Sequence, residues 1–210
     1  MKSPHIPAKA VIFDLDGTIT EPILDFARIK REIGAGETPI LEFLASITDD
    51  EARRVARQKV DRWEREAAEA STLNPGVLEV LDALSSARIP VAVLTRNNRE
   101  SVDTVAKKHA LHFDVIVTAD DRLPPKPSAE PVKYIARKLG LDPSEVVMVG
   151  DFAFDMTCGR SAGAHTVLLL NRRKPTNTSD ADVVIGDLRE LLDIIEVPHD
   201  GSPPEGRPGP

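Results

Sequence analysis

Two aspartates one residue apart, Asp14 and Asp16, stand directly beyond an apolar run and are followed by Gly17. Carboxylates placed that way are expensive to bury without a cation or a proton between them, and the glycine allows close backbone approach. The pair asks for a metal. Small, hard Mg²⁺ suits oxygen ligands and keeps waters and a substrate phosphate in its shell. An aspartate in such a shell can attack phosphorus and form an acyl phosphate, which divides one hard hydrolysis into two easier steps. A second carboxylate nearby can hand a proton to the leaving alcohol and later take one from water. Asp14 and Asp16 fit those two roles.

Matching parts recur further along the chain. Thr95 closes one apolar run with a hydroxyl donor, and Lys126 follows another, where its ammonium can neutralise a phosphoryl group. Asp151 closes a third run, and Asp155 follows it by one helical turn. Together these supply acceptors for a cation and donors for an anion. Phosphoryl transfer needs both, because its catalysis is mostly positioning and charge stabilisation.

The elements that must hold these groups are short β-branched runs with helical stretches between them. The runs are 10–14, 91–95, 115–118, 146–150, 166–170 and a weaker 183–185. Their nearly continuous apolarity fits parallel strands covered on both faces. Residues 77–87, 99–109 and 131–139 carry apolar positions at three- and four-residue spacing and read as helices. The expected class is α/β, with five or six parallel strands. Such a sheet places ligands at the carboxyl ends of its strands, where Asp14, Thr95 and Asp151 fall.

One segment breaks the alternation. About 75 residues without a convincing strand separate the first run from the second, too many for a plain connection, so they form an inserted helical unit. A first helix is expected from Pro22, with Phe26, Ile29 and Ile33 on one face and Gly34 ending it. Thr38-Pro39 opens a second. A third begins near Asp49 or Asp50 and carries Ala52, Val55, Ala56, Val60, Trp63, Ala67 and Ala70 on a stripe, with its charges read as a solvated face. Asn74-Pro75-Gly76 returns the chain to the main unit as a hinge. The Pro- and Gly-rich tail after Val197 is expected to be disordered.

With 41% hydrophobic and 29% charged residues the chain reads as globular. Its net charge of -7 disfavours nucleic acid as a bound scaffold, since that binding rests on clustered cations. No apolar run approaches the length of a membrane span, and the first residues lack the apolar core of a secretory signal, so the expected compartment is the cytoplasm. The single cysteine, Cys158, reads as a buried small hydrophobe. The expected state is monomer or homodimer.

The succession Asp14-Leu15-Asp16-Gly17-Thr18, Val93-Leu94-Thr95, Lys126-Pro127 and Gly150-Asp151 with Asp155 resembles the four ordered motifs of the haloacid dehalogenase-like hydrolases. The resemblance implies a Rossmann-like core with helices on both faces and a small helical cap over residues 20–74. It implies that Asp14 is the nucleophile and a Mg²⁺ ligand, and that Asp16 is the general acid and base, lending its backbone carbonyl to the metal. Thr95 and Lys126 would hold the phosphoryl oxygens, Lys126 also steadying Asp14. Asp151 would be the acidic ligand of the last motif, and Asp155 would support the metal, through water. An aspartate at position 16 favours phosphate esters over the halide and phosphonate branches. The implied substrate is a small phosphorylated metabolite, with phosphoglycolate-like acids and sugar phosphates foremost.

Two positions depart from the common pattern. Phe152 stands where many relatives have a small polar residue. Thr95 is followed by Arg96 and Asn97, both counted among the substrate-binding residues. Arg96 can read a substrate carboxylate or second phosphate bidentately, or face solvent.

Other readings were weighed. Gly159 to Gly163 matches the short serine-hydrolase elbow, but it falls within or at the end of a helix, where small residues serve packing. Gly34-Ala35-Gly36 follows a helix and reads as its stop. A phosphosugar mutase shares the covalent step and stays open. A phospho-acceptor signalling module stays open too, although it needs neither the insertion nor an acid for a leaving group.

Overall fold

The computed structural model describes residues 6–170 and 180–196. The tail after Val197 lies outside them. The chain runs β1 (Ile6–Pro7), β2 (Ala10–Phe13), α1 (Phe26–Ile33), α2 (Ile40–Ser46), α3 (Asp50–Ala70), α4 (Val77–Ser86), β3 (Val91–Leu94), α5 (Arg99–His109) and β4 (Val115–Val117). It continues through α6 (Glu130–Leu139), β5 (Val146–Gly150), α7 (Ala153–Ala162), β6 (His165–Leu169), β7 (Val183–Ile185), α8 (Leu191–Ile194) and β8 (Ile195–Glu196).

Six strands form one parallel sheet in the order β4-β3-β2-β5-β6-β7. Its strands alternate between two apolar layers, as parallel strands covered on both faces must. Val11 and Phe13 point to one side with Val77, Val80 and Leu84 of α4 and Val102 and Val105 of α5. Ala10 and Ile12 point to the other, against Val132 and Ile135 of α6 and Cys158 of α7. The chain leaves β2 toward β3 and β4, then crosses back to β5 on the other side of β2. That reversal opens a crevice beyond the carboxyl ends of β2, β3 and β5. A short parallel pair, β1 with β8, lies outside this sheet. Two-residue strands have no periodicity to read, so they were not anticipated.

The insertion between β2 and β3 is the three helices α1 to α3, with an apolar centre of their own at Leu24, Ile29, Leu44, Ala56 and Val60. Helix α1 starts four residues beyond Pro22, because Asp25 accepts a hydrogen bond from the Arg28 amide at 2.9 Å and so caps it. Gly34 ends it in the left-handed conformation at φ 79°, the stop expected of it. The stripe of α3 is rotated from the expected one. Its buried positions are Ala56, Val60, Glu64 and Ala68, while Ala52, Val55 and Ala70 face solvent and Trp63 and Ala67 are half-buried. Among the described residues no helix is long and apolar enough to cross a membrane.

Gly159 and Gly163 lie in and just after the last turn of α7, and Ser161 is exposed on its surface. A side chain at Gly159 would meet Thr166 Cγ2 at 2.7 Å and Met148 Cβ at 2.9 Å, so the glycine serves helix-to-sheet packing.

Candidate active site

Asp14 follows β2 immediately, and its amide still donates to Val149 O of β5 at 2.9 Å. Thr95 follows β3 in the same way, its amide donating to Val117 O of β4 at 3.0 Å. The sheet thus fixes both backbones before either side chain leaves it. Asp151 follows β5, and Asp155 sits in the first turn of α7 with its Oδ2 accepting from the Phe152 amide at 3.1 Å.

These groups converge. Lys126 Nζ is buried and donates to Asp14 Oδ1 at 2.6 Å, Asp155 Oδ1 at 2.6 Å and Leu94 O at 2.8 Å, using all three of its protons. Carboxylate oxygens of Asp14, Asp151 and Asp155 all lie within 4.8 Å of one another, and all three residues are buried. The Asp16 carboxylate is outside that close set. Thr95 is buried, and its Oγ1 accepts from the Asn97 amide at 3.1 Å, which tightens the loop beyond β3.

Two glycines make room for the carboxylates. A Cβ at Gly17, where φ is 93°, would stand 2.3 Å from Asp151 Oδ2, and a Cβ at Gly150 would stand 2.3 Å from the Asp155 side chain. The close approach expected of Gly17 is therefore to a side chain delivered by another strand.

Burial works against the charge on Lys126, but the carboxylates of Asp14 and Asp155 outweigh it and hold the ammonium above its ordinary value. Asp155 is raised instead, chiefly by its own burial, with Lys126 opposing and Asp14 and Asp151 adding to the rise. One ammonium balances one carboxylate of the three. Oxygen donors with surplus negative charge fit a hard divalent cation such as Mg²⁺.

The loop that carries Asp16 is stapled to the return of the insertion. Asn74 Nδ2 donates to Gly17 O at 3.0 Å, Thr18 O at 2.9 Å and Thr20 O at 3.1 Å. Expected only as part of a hinge, Asn74 fixes the backbone around Gly17 through its amide.

Arg96 does not face open water. One of its amino groups donates to Lys126 O, the other to Glu42 Oε2 of α2, and its guanidinium carbon lies 5.0 Å from the centre of the Phe154 ring. Phe152, half exposed, meets Phe154 edge-on at 5.2 Å. Beside this cluster a cleft of about 470 Å³ separates α2 from the loop around Lys126, lined by Leu41, Glu42, Leu123, Pro125 and Pro127 among others. Burial tends to raise the Glu42 carboxyl, and the hydrogen bond and charge of Arg96 overcome it and lower the group.

Two site neighbours escaped the sequence reading. Glu42 had no distinguishing pattern. Glu64 did have one, since it continues the four-residue spacing of Ala56, Val60 and Ala68. Its Oε2 accepts from the Asn98 amide at 2.8 Å, and burial pushes its carboxyl up to about 7. Cys158 is buried, its Sγ donating to Ser128 O at 2.8 Å, and burial pushes its thiol up to about 12, in keeping with a packing role.

The parallel sheet carries at its switch point an acidic, lysine-braced crevice whose clustered carboxylates could hold a hard cation. The model of the haloacid dehalogenase-like hydrolases matches residues 8–163, and the chain belongs to that family as a phosphatase-like member. It is 33% identical to an uncharacterized hydrolase of Saccharomyces cerevisiae, over 90% of this chain and 91% of that one. It is 31% identical to a phosphoglycolate phosphatase of Chromobacterium violaceum, over 93% of this chain and 99% of that one. A crystal structure of a hydrolase from Pseudomonas syringae shares the fold at a TM-score of 0.73 and 24% identity, covering 89% of this chain and 97% of that one.

Proposed function

We propose that this chain is a Mg²⁺-dependent phosphatase that releases phosphate from a small phosphorylated metabolite through an aspartyl-phosphate on Asp14. One observation carries the reading: Lys126 is locked between Asp14 and Asp155 while Asp151 stands within 4.8 Å of both. Such an arrangement orients the Asp14 carboxylate against a fixed ammonium and leaves acidic oxygens for the cation that a phosphate ester needs beside it.

Asp14 and Asp151, with the backbone carbonyl of Asp16, would hold the Mg²⁺, and Asp155 would support it. When bound, the ion supplies charge compensation for the phosphoryl oxygens. Thr95 Oγ1 donates to those oxygens, and Lys126, whose three protons are engaged by Asp14, Asp155 and Leu94 O, draws them toward Asp14 by its charge. An Asp14 carboxylate oxygen bonds to phosphorus as the ester P–O bond breaks, and Asp16 gives its proton to the departing alcohol oxygen. Asp16, now a carboxylate, takes a proton from water; the water oxygen bonds to phosphorus, and Asp14 leaves with inorganic phosphate as product. Residues 20–74 serve as the cap that closes over the ester and excludes bulk water.

The Chromobacterium violaceum relative supports a small phosphorylated acid as substrate. Purified protein with Mg²⁺ is expected to release phosphate catalytically from at least one member of a panel of phosphorylated metabolites. Asp14→Asn should abolish turnover while circular dichroism and melting stay native. Lys126→Ala should lower kcat by about a thousandfold, the scale of losing one preorganised electrostatic partner. Native rates from Asp14→Asn contradict the mechanism, and conversion of glucose 1-phosphate to glucose 6-phosphate without phosphate release would make the chain a mutase.

A further inference from the structure

The Arg96 guanidinium is the group whose surroundings the mechanism leaves unused. It has an aromatic face beneath it at Phe154, a fixed anchor at Lys126 O and a movable partner, the Glu42 carboxylate, which belongs to a different unit of the protein. Its side chain is 19% exposed and that of Glu42 40%, so the cation is mostly withdrawn from water while its partner is not. Withdrawn cations require a counter-anion, and a planar guanidinium matches the paired oxygens of a carboxylate or phosphate. In the described structure Glu42 supplies that anion.

Position limits what else can supply it. Arg96 adjoins Thr95 and is bonded to the carbonyl of Lys126. Those are the two residues assigned to the phosphoryl group, so an anion held by Arg96 belongs to the same small molecule as the ester. On the other side of Glu42 lies the cleft of about 470 Å³ between α2 and the Lys126 loop, into which its carboxylate can swing. Arg57 also lines that cleft, but it is held by Asp61 and Asp120 at 2.9 Å each.

We propose that Arg96 selects substrates bearing a second anionic group beyond the phosphate ester, and that Glu42 occupies the place of that group until the substrate displaces it. The inference rests on the phosphatase reading above and narrows its substrate class. The second anion is a carboxylate or a second phosphate, and both share the paired-oxygen chemistry that Arg96 accepts. Glu42 then acts as a built-in competitor: esters of neutral alcohols leave the Glu42 to Arg96 pair intact and bind without its exchange.

The test measures kcat and KM with Mg²⁺ for phosphoglycolate, fructose 1,6-bisphosphate and 2-hydroxyethyl phosphate, the neutral counterpart of the first. Wild-type enzyme should prefer at least one of the two doubly anionic esters. Arg96→Gln should shrink that preference about tenfold or more, chiefly through KM, the scale of a lost charge-assisted pair. Arg96→Lys, which keeps the charge but loses the fork, should fall between. Glu42→Gln should enlarge the preference by lowering KM for the doubly anionic ester. The ester whose preference responds identifies the anion as carboxylate or phosphate. A residue pair that only closes the cap would move all three substrates together, so unchanged preference ratios in these variants overturn the proposal. Turnover of all three esters without preference in the wild type overturns it as well. Absence of phosphate release from every ester would instead defeat the phosphatase reading on which it rests.

Discussion

The inserted helices meet the core along two boundaries of different construction. At the first, α3 lies along α5 in the most extensive helix-to-helix contact among the described residues. Hydrogen bonds line it: Asn98 N to Glu64 at 2.8 Å, Asn98 Nδ2 to Asp61 at 3.2 Å, and Lys108 Nζ to the carbonyls of Glu69 and Ser71 at 2.7 Å each. At the second, α2 faces the Lys126 loop across an open cleft, and the charged pairs of Glu42 with Arg96 and of Arg57 with Asp120 join the two sides. A dense seam resists separation, while a few solvent-touching ion pairs exchange partners at little cost. The inserted helices are therefore held densely to the core on one side and sparsely on the other. The seam also ends at Asn98, three residues after Thr95, so the same contact that anchors the inserted helices steadies the loop beyond β3.

Three substitutions sharpen that contrast, in falling order of effect on stability. Asn98→Ala should cost about 1–2 kcal/mol, read from the urea midpoint. It removes the helix cap on α5, where Asn98 Oδ1 accepts from the Ser101 amide at 2.9 Å, and the bond to Asp61. A loss within error of zero would mean the seam is not an anchor.

At pH 5 Glu64→Gln should have a smaller effect, and one that grows as pH rises. The Glu64 carboxyl rises from 4.5 when exposed to about 7 in the folded protein. A raised value means the folded state holds its proton more tightly. The resulting stabilisation is complete below pH 4.5 and is lost as pH rises through 7. The glutamine variant, which never ionises, should gain melting temperature relative to wild type between pH 5 and pH 8. A difference that stays constant over that range would show that Glu64 does not titrate within the seam.

Glu42→Gln should barely register in stability, by less than about 0.5 kcal/mol, because the Glu42 carboxylate is 40% exposed and the glutamine keeps an acceptor for Arg96. A larger loss would make the cleft side an anchor too and erase the distinction between the boundaries.

Much of this architecture was legible in the sequence, for a physical reason. Strands covered on both faces need unbroken apolar runs, and 91–95 or 146–150 can be little else. The convergence of Asp14, Asp151 and Asp155 was legible because they fall at or just past the ends of those runs, where a parallel sheet delivers its side chains. What escaped depends on tertiary contact. Val55 looks like a buried position of α3 by type and spacing, yet it faces solvent, because the helix turns Glu64 toward α5 instead. A glutamate in a charge-rich helix reads as solvated unless the stripe of Ala56, Val60 and Ala68 is given more weight than the charge. Glu42 and Phe154 have no local signature at all, since each matters only through Arg96, which is distant from both in the chain. The staple made by Asn74 was hidden for the same reason: its acceptors lie more than fifty positions earlier.

The central claim is that Asp14 becomes phosphorylated during turnover. Rapid quenching of enzyme, Mg²⁺ and a turning-over ester, followed by borohydride reduction and peptide mass spectrometry, tests it directly, because an acyl phosphate is reduced to the alcohol. Homoserine at position 14, dependent on substrate and absent from Asp14→Asn, is the predicted result. Full turnover with position 14 unmodified, or with the reduced residue at Asp16, would contradict it.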